Sequence, residues 1–305
     1  MTENTAPLVS VVIPTYNHAR FLDSALQSVL DQTYTHWEAI IIDNHSTDNT
    51  DEVMASFTDS RFTYIKIHNN GVIAASRNAG IRAAKGEFIA FLDSDDIWLP
   101  RKLEIQLKYF ESNKELLLVG TNCSTFPCGI SNELFIFKNH ILSFEKLLKN
   151  TKGIITSSVL MKREVVDYVG FFDEDKRLIA VEDFDYWLRL LKYKNNSILV
   201  IKQSLVKYRL HSQNISSQLN SKNNLSAYDK LLIIYEKHRN HTVRYIIFIT
   251  ENIENLKATL YLKELYFRKK ITIKFLFQNE EISLKSKCTI VAKDIVWKFL
   301  RFIHF

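Results

Sequence analysis

Runs of apolar residues alternate with amphipathic segments along the first third of the chain. Leu8–Ile13, Trp37–Ile42 and Phe62–Ile67 have the length and composition of strands, and a fourth apolar run opens the stretch Glu87–Asp96. This alternation predicts a parallel, doubly wound α/β sheet with right-handed crossovers, flanked by helices. The intervening segments with helical spacing of apolar residues are 20–31, 50–57 and 72–84.

The pattern is less regular after residue 100. Pro100 suits the start of a helix over residues 101–111, and acidic residues open a later helix at Glu182 and Asp183. We interpret Thr121–Asn132 as a loop near an acceptor site. The remaining predicted elements are strands at 116–120, 134–137 and 156–161, a short helix at 163–169, and two short strands within 199–209.

From about residue 224 onward the pattern is helical, rich in lysine and aromatic. We therefore predict a main domain over residues 1–220 and a helical, basic extension over residues 221–305. Basic amphipathic helices with Trp and Phe suit a membrane interface, whereas packing against the chain's own domain is the more ordinary alternative.

Three carboxylates follow the fourth apolar run, at Asp93, Asp95 and Asp96. They stand where a ligand binds in open α/β sheets, outside the carboxyl ends of the strands. The three carboxylates would repel one another if they were buried without a positive charge nearby. A divalent metal ion supplies that positive charge. Oxygen ligands in such a turn suit Mg²⁺ or Mn²⁺, although an isolated acidic turn can also be merely solvated.

Composition and charge limit the function classes. The chain has 305 residues, of which 46% are hydrophobic, and a net charge of +6. Residues 222–305 hold 16 Lys and Arg against 8 Asp and Glu, so the basic excess lies there. A nearly neutral body argues against a nucleic-acid binder and favours contact between the extension and an anionic membrane surface or an acidic partner.

Cysteine content and hydropathy point to the cytoplasm. Cys123, Cys128 and Cys288 provide neither a disulfide framework nor a four-ligand zinc set, and reduced thiols are expected. The first ten residues lack the features of a signal peptide, and no apolar run approaches the about 18 residues of a spanning helix. Gly-x-Gly-x-x-Gly does not follow the first strand and a P-loop motif is absent, which argues against a nicotinamide-dependent enzyme and a P-loop phosphotransferase.

Four separated segments, in order and in register over residues 7–217, resemble the inverting family 2 glycosyltransferases with the GT-A fold. The residues after 217 contribute no segment to this resemblance. The segments are VSVVIPTYN (9–17), IIDNHSTDNT (41–50), the run from Gly71 that includes SRNAGIRAAKGEFIAFLDSDDIWLP (76–100), and VEDFDYWLRL (181–190) followed by YRLHSQNIS (208–216).

The resemblance implies roles for individual residues. Asp183 corresponds to the general base, with Glu182 as the neighbour that could be confused with it, and acids that only stabilise the helix start are the alternative. His211 is a further metal or phosphate contact, or else structural. The implied nucleotide-sugar-binding residues are Pro14, Thr15, Tyr16, Asn17, Asp43, Arg77, Asn78, Asp93 and Ser94, and the implied metal ligands are Asp93, Asp95, Asp96 and His211.

The resemblance also implies an activity. We expect a Mn²⁺- or Mg²⁺-dependent inverting transfer of a hexosyl or N-acetylhexosaminyl group from a nucleoside-diphosphate sugar, with UDP as the expected nucleotide. The acceptor is a hydroxyl of a saccharide or lipid-linked saccharide in surface polysaccharide synthesis, such as O-antigen or capsule. We therefore expect a cytoplasmic enzyme in peripheral contact with the inner face of the membrane. The sequence does not predict the oligomeric state.

Two other interpretations compete with this one. A non-catalytic nucleotide-sugar-binding or scaffold protein could keep the same fold, but the presence of Asp93, Asp95, Asp96 and Asp183 together argues against it. A haloacid-dehalogenase-like phosphatase also places two acids after a strand. Here the acids follow the fourth strand instead of an early one, and Ile97 stands after Asp96, which disfavours that class.

Overall fold

The computed structural model describes residues 6–126, 138–149 and 154–211, together with residues 230, 233, 234, 237 and 238. The chain divides into the units Met1–Ser221 and Lys222–Phe305, and nearly all described residues belong to the first. The predicted extension therefore lies almost wholly outside the described residues and stays a prediction. Within the described ranges, no helix has the length and hydrophobicity needed to cross a membrane.

The described residues form one mixed sheet of nine strands. Parallel pairing accounts for most of the paired residues, and the main path runs β3-β2-β1-β4-β8-β6-β9-β5, with β7 paired to β9. The strands are β1 (Val9–Thr15), β2 (Trp37–Asp43), β3 (Phe62–Lys66), β4 (Phe88–Phe91), β5 (Ile97–Trp98), β6 (Leu118–Phe126), β7 (His140–Leu142), β8 (Leu160–Lys162) and β9 (Ile198–Arg209).

Helices connect and flank the strands, so the predicted α/β class with a mostly parallel sheet is confirmed. Single turns of 3₁₀ helix occur at Thr156–Ser158 and Lys176–Leu178. The α-helices are α1 (Ala19–Leu30), α2 (Thr50–Ser56), α3 (Ile73–Ala83), α4 (Lys102–Ser112), α5 (Phe144–Lys149), α6 (Val165–Val169) and α7 (Glu182–Tyr193).

The parallel strands β1 to β4 bring their carboxyl ends to one edge of the sheet. In register, Thr15 of β1 pairs with Asp43 of β2, and Asp43 pairs with Lys66 of β3. The strands β1, β2 and β4 are buried almost completely, which explains their nearly continuous apolar sequence. The loops that follow them therefore meet at one place.

The predicted end of the first strand at Ile13, just before Pro14, is wrong, because β1 continues to Thr15. The carbonyl of Val12 accepts from Leu92 on the β4 side, and the carbonyl of Thr15 accepts from Asn44 on the β2 side. Since alternate residues face opposite neighbours, Pro14 faces the β4 side, where pairing has already ended at Phe91. The missing proline N–H thus costs no ladder hydrogen bond.

The prediction of a loop from Thr121 is also wrong. Residues 121–126 continue β6, and a β-bulge next to Asn122 shifts their register against β9. The polar side chains of this segment give no strand pattern in the sequence. The segment is a strand because it pairs with β9, which is distant in sequence. The rest of the predicted loop, to Asn132, and the strand predicted at 134–137 lie outside the described residues.

Other boundaries in the second half differ from expectation. The strand predicted at 156–161 is a 3₁₀ turn followed by β8, and the two strands predicted within 199–209 form one strand, β9. The pattern did not predict β5, β7 or α5. These elements are two to six residues long, too short for a hydrophobic period to appear.

Candidate active site

A cleft of about 850 Å³ opens at the carboxyl ends of the parallel strands. Several parts of the chain form its walls, among them the end of β1 with the segment after it, the start of α3 with the loop before it, the turn after β4, residues 155–156, and the start of α7. Tyr16 is 52% exposed and offers a ring face there. The cleft includes these predicted site residues: Pro14, Thr15, Tyr16, Asn17, Arg77, Asp93, Ser94, Asp95, Glu182 and Asp183.

Arg77 of α3 lies at the centre of the buried charges. Its guanidinium donates to Glu182 at 2.5 Å and to Asp93 at 3.0 Å, and its side chain is only 4% exposed. Burial alone would lower the pKa of Arg77, but the carboxylates of Asp93, Glu182 and Asp183 outweigh it and raise that pKa. Arg77 therefore stays charged and joins α3, the turn after β4, and α7.

Asp183 lies beside this pair but is held differently. Its carboxylate accepts from the Thr156 hydroxyl at 2.9 Å and from the backbone N–H of Phe184 at 2.7 Å. Burial and the adjacent Glu182 raise the pKa of Asp183 to about 6, against the opposing effect of Arg77. A carboxylate with such a pKa can accept a proton near neutral pH.

A strained turn precedes these acids. Ala180 lines the cleft with φ of 71°, in the left-handed region that a residue with a Cβ seldom occupies. Strain of this kind persists only where the surrounding structure holds it, and it occurs frequently at functional sites.

The acids in the turn after β4 lie in different environments. The backbone N–H of Asp93 donates to Ser157 at 3.0 Å, while Asp96 is fully buried and accepts from the backbone N–H of Arg209 at 2.9 Å. Burial, with repulsion from Asp95 and Asp93, raises the pKa of Asp96 well above its ordinary value. Asp96 does not line the cleft, so the structure does not bring it to the predicted metal position.

Asp95, in the same turn, lies close to two histidines. His211 Nε2 lies 2.8 Å from Asp95 Oδ2, and His18 Nδ1 lies 2.9 Å from the Ser94 hydroxyl. One ligand atom each from His18, Asp95 and His211 lie within 4.8 Å of one another. Two imidazoles and one carboxylate are a donor set that fits a divalent ion.

Asp43 lies beneath the part of the cleft next to β1. It is fully buried, and accepts from the Ser46 backbone N–H at 3.0 Å and from the Tyr64 hydroxyl at 2.9 Å. The Ser46 hydroxyl also donates to Asp43, and itself accepts from the backbone N–H of Asn17. Asp43 therefore supports the wall formed by Asn17, but its carboxylate does not line the cleft.

Asn78 does not join the cleft either. Its side-chain amide donates to the Phe172 carbonyl at 2.9 Å and to Glu174 at 2.8 Å, and its oxygen accepts from the Phe172 N–H at 2.9 Å. Asn78 thus fastens α3 to the segment before α7, and its predicted contact with ribose or diphosphate has no geometric support here.

Sequence reasoning missed His18, Thr156 and Ser157. His18 directly follows the segment 9–17, so its position next to a resembling motif was the available signal. Thr156 and Ser157 carried no signal, because a Thr-Ser-Ser run is common and its partners Asp183 and Asp93 are 27 and 64 residues away.

Comparison with known proteins identifies the family. Residues 10–170 match the family model described as Glycosyl transferase family 2. Over 210 residues the chain is 35% identical to the UDP-Glc:alpha-D-GlcNAc-diphosphoundecaprenol beta-1,3-glucosyltransferase WfgD of Escherichia coli, and the match covers 69% of this chain and 80% of that protein.

Two solved structures show the same fold. TarS from S. aureus in complex with UDP-GlcNAc aligns with a TM-score of 0.65 at 17% identity, covering 81% of this chain and 71% of that one. The mannosyltransferase PcManGT from Pyrobaculum calidifontis, in complex with GDP-Man and Mn²⁺, aligns with a TM-score of 0.63 at 16% identity, covering 96% and 81%. These likenesses confirm the GT-A fold.

Proposed function

The chain belongs to glycosyltransferase family 2, and from that premise we propose that it moves a hexosyl or N-acetylhexosaminyl group from a UDP-sugar to an acceptor hydroxyl, with inversion. One observation carries the proposal. A single cleft of about 850 Å³ is lined both by Asp183, whose pKa is raised to about 6, and by Asp93 and Asp95 of the turn after β4. That volume suits a nucleotide-sized ligand.

The charges support Asp183 over Glu182 as the base. Glu182 is 4% exposed and its carboxylate is engaged by Arg77 at 2.5 Å. Asp183 receives only hydrogen bonds from neutral donors, and its raised pKa suits proton acceptance. As the acceptor oxygen attacks the anomeric carbon, Asp183 takes its proton, and the bond to the diphosphate breaks on the opposite face.

Other residues hold the donor. The exposed ring of Tyr16 can stack on a nucleotide base, next to the wall formed by Pro14, Thr15 and Asn17. Arg77 lines the cleft and forms an ion pair with Asp93 at 3.0 Å, which reduces the repulsion between Asp93 and a donor diphosphate. Asp95 and His211 would hold Mn²⁺ or Mg²⁺, and such an ion when bound neutralises charge on a leaving diphosphate.

The relatives favour UDP and a lipid-linked acceptor. WfgD is named for UDP-Glc, an undecaprenol diphosphate-linked sugar and a β-1,3 product, and TarS was solved with UDP-GlcNAc, whereas PcManGT was solved with GDP-Man. We extend the UDP-sugar donor and the lipid-linked saccharide acceptor to this chain. A role in surface polysaccharide synthesis at the cytoplasmic membrane face, with the basic residues after 222 in contact with the membrane, completes the proposal.

The decisive experiment compares Asp183→Asn with wild type. We expect UDP-sugar affinity, measured by calorimetry with Mn²⁺, to change less than about threefold, because amide and carboxylate have the same shape. UDP release in the presence of polyprenyl diphosphate-linked sugars should fall about 10²- to 10⁴-fold through loss of the base. Asp167→Asn, the same change at an exposed carboxylate of α6, is the matched control and should leave both values unchanged.

Three outcomes would contradict the proposal. Transfer by Asp183→Asn at the wild-type rate would remove the base assignment. Donor binding by the wild type with neither transfer nor donor hydrolysis for any acceptor would favour a non-catalytic nucleotide-sugar-binding protein. An α-linked product from an α-linked donor would reject inversion.

A further inference from the structure

Three parts of the chain that are distant in sequence bring His18, Asp95 and His211 together. His18 precedes α1, Asp95 lies in the turn after β4, and His211 follows β9. The side chains of His211 and Asp95 are only 11% and 12% exposed, and His18 is half-buried. Among the described residues, these three form a group of histidine and carboxylate side chains that lie close enough together to share one ion.

The spacing of two of these side chains suits ligands of one ion. His211 Nε2 and Asp95 Oδ2 are 2.8 Å apart. Adjacent ligands of an octahedral ion with bonds of about 2.1 Å lie about 3 Å apart. A cation can therefore bind both atoms with little movement of either side chain.

His18 lies within reach of the same position, because one of its ring nitrogens is within 4.8 Å of ligand atoms of Asp95 and His211. Its ring stands nearly perpendicular to that of His211, at 82°, with 5.8 Å between the ring centroids. The Ser94 hydroxyl lies 2.9 Å from His18 Nδ1 and can fix the ring, as the outer hydrogen bond of a metal-bound histidine does. In the tautomer that donates from Nδ1 to Ser94, Nε2 carries the lone pair that a metal requires.

The other acids of the turn are committed elsewhere. Asp93 binds Arg77 at 3.0 Å, and Asp96 is fully buried and accepts from the backbone of Arg209. An all-oxygen site made of Asp93, Asp95 and Asp96 is therefore disfavoured. The donor set that the geometry provides contains two nitrogens and one oxygen.

We propose that His18 is a third protein ligand, and that this nitrogen-rich set selects a transition-metal ion such as Mn²⁺ over Mg²⁺. Imidazole binds first-row transition metals better than Mg²⁺, which prefers oxygen ligands and retains its water. The inference rests on the proposed function in one respect, because the same ion would serve the leaving diphosphate. It goes further by naming the ligand and the class of metal.

The experiment measures metal binding by the full chain after treatment with a chelator. Free Mn²⁺ is followed by electron paramagnetic resonance, with and without UDP, and Mg²⁺ is added as competitor. We expect Mn²⁺ to bind at least about tenfold more tightly than Mg²⁺, and His18→Gln to weaken Mn²⁺ binding by about tenfold or more with less effect on Mg²⁺. His36→Gln, at an exposed histidine outside the cleft, is the matched control.

A spectroscopic signature separates ligation from a structural effect. Electron spin-echo modulation from ¹⁴N of bound imidazole should be strong in wild type and reduced in both His18→Gln and His211→Gln, with circular dichroism unchanged. Equal affinity for Mn²⁺ and Mg²⁺, no Mn²⁺ binding in either condition, or ¹⁴N modulation unaltered by His18→Gln would each overturn the inference.

The two proposals fail in different ways. Sugar transfer that proceeds equally with Mg²⁺ and Mn²⁺, and is untouched by His18→Gln, would reject the histidine site while keeping the enzyme. Mn²⁺ bound through two histidines in a chain that neither transfers nor hydrolyses a donor would support the site and reject the enzyme.

Discussion

At the scale of single residues, two hydrogen-bonding environments give two neighbouring acids different properties. Glu182 is neutralised by the buried guanidinium of Arg77, whereas Asp183 accepts from the Thr156 hydroxyl and a backbone N–H. The raised pKa of Asp183 reflects burial and the proximity of Glu182. Thr156 therefore orients Asp183 and stabilises its charged form.

Replacing Thr156 with valine should shift the pH profile of the transfer reaction. Transfer requires ionised Asp183, so the wild-type kcat/KM should fall about tenfold per pH unit below a pKa of about 6. Thr156→Val removes a hydrogen bond that lowers that pKa, and the acid limb should move to higher pH. The rate at pH 5 should thus fall more than the rate at pH 8.

The control is Thr63→Val, at an exposed position of β3, which should leave the profile in place. An acid limb at the same pH in Thr156→Val and wild type would show that Thr156 does not act on the base.

At the scale of elements, close packing of α3 on β1 sets the position of Arg77. A Cβ added to Gly80 of α3 would lie 2.3 Å from Val12 Cγ1 of β1. Because α3 carries Arg77 one turn earlier, any displacement of the helix also moves the charge that holds Glu182 and Asp93. Packing of α3 on β1, one turn from Arg77, therefore affects the electrostatics of the cleft.

Gly80→Ala should destabilise the protein by about 1–3 kcal/mol through overpacking, although alanine favours a helix over glycine by about 1 kcal/mol. In a Val12→Ala background the two Cγ atoms are gone and the nearest remaining atom, Cβ, lies at 3.2 Å. The same change should there become neutral or stabilising. Urea denaturation of the four proteins measures this, and additive effects would contradict the packing argument.

At the scale of the whole molecule, a buried lysine makes global stability depend on pH. Lys102 of α4 is fully buried, donates to Gln106 at 2.8 Å and stands 4.0 Å above the ring of Trp98. Burial lowers the pKa of Lys102 well below its ordinary value. The unfolded chain then binds a proton that the native state does not, so this residue makes stability rise with pH below 10.5.

Lys102→Met keeps the volume and removes the titration. The free energy of unfolding of the variant should exceed that of wild type by an amount that grows as pH falls from about 9.5 toward 7, by at most about 1.4 kcal/mol per pH unit. Chemical denaturation at several pH values measures the difference. Lys85→Met, at an exposed lysine, should show none of this trend, and a pH-independent difference for Lys102→Met would contradict the argument.

The sequence by itself determined the α/β class, the family and half of the residues that line the cleft. Strands β1 to β4 were predictable because runs buried on both faces are continuously apolar, and the strand-end positions of Asp93, Asp95 and Thr15 follow from that. Parallel strands bring their carboxyl ends to one edge, so local patterns sufficed to bring those residues together.

Only the tertiary structure decided how the site residues are paired. Arg77 meets Glu182 across 105 residues, His211 meets Asp95 across 116, and Thr156 meets Asp183 across 27. It also placed His18 beside the acids and turned Asn78 and Asp96 away from the cleft. The physical reason is that periodicity reports local burial, whereas the partner of a buried polar group is chosen by the packing of distant elements.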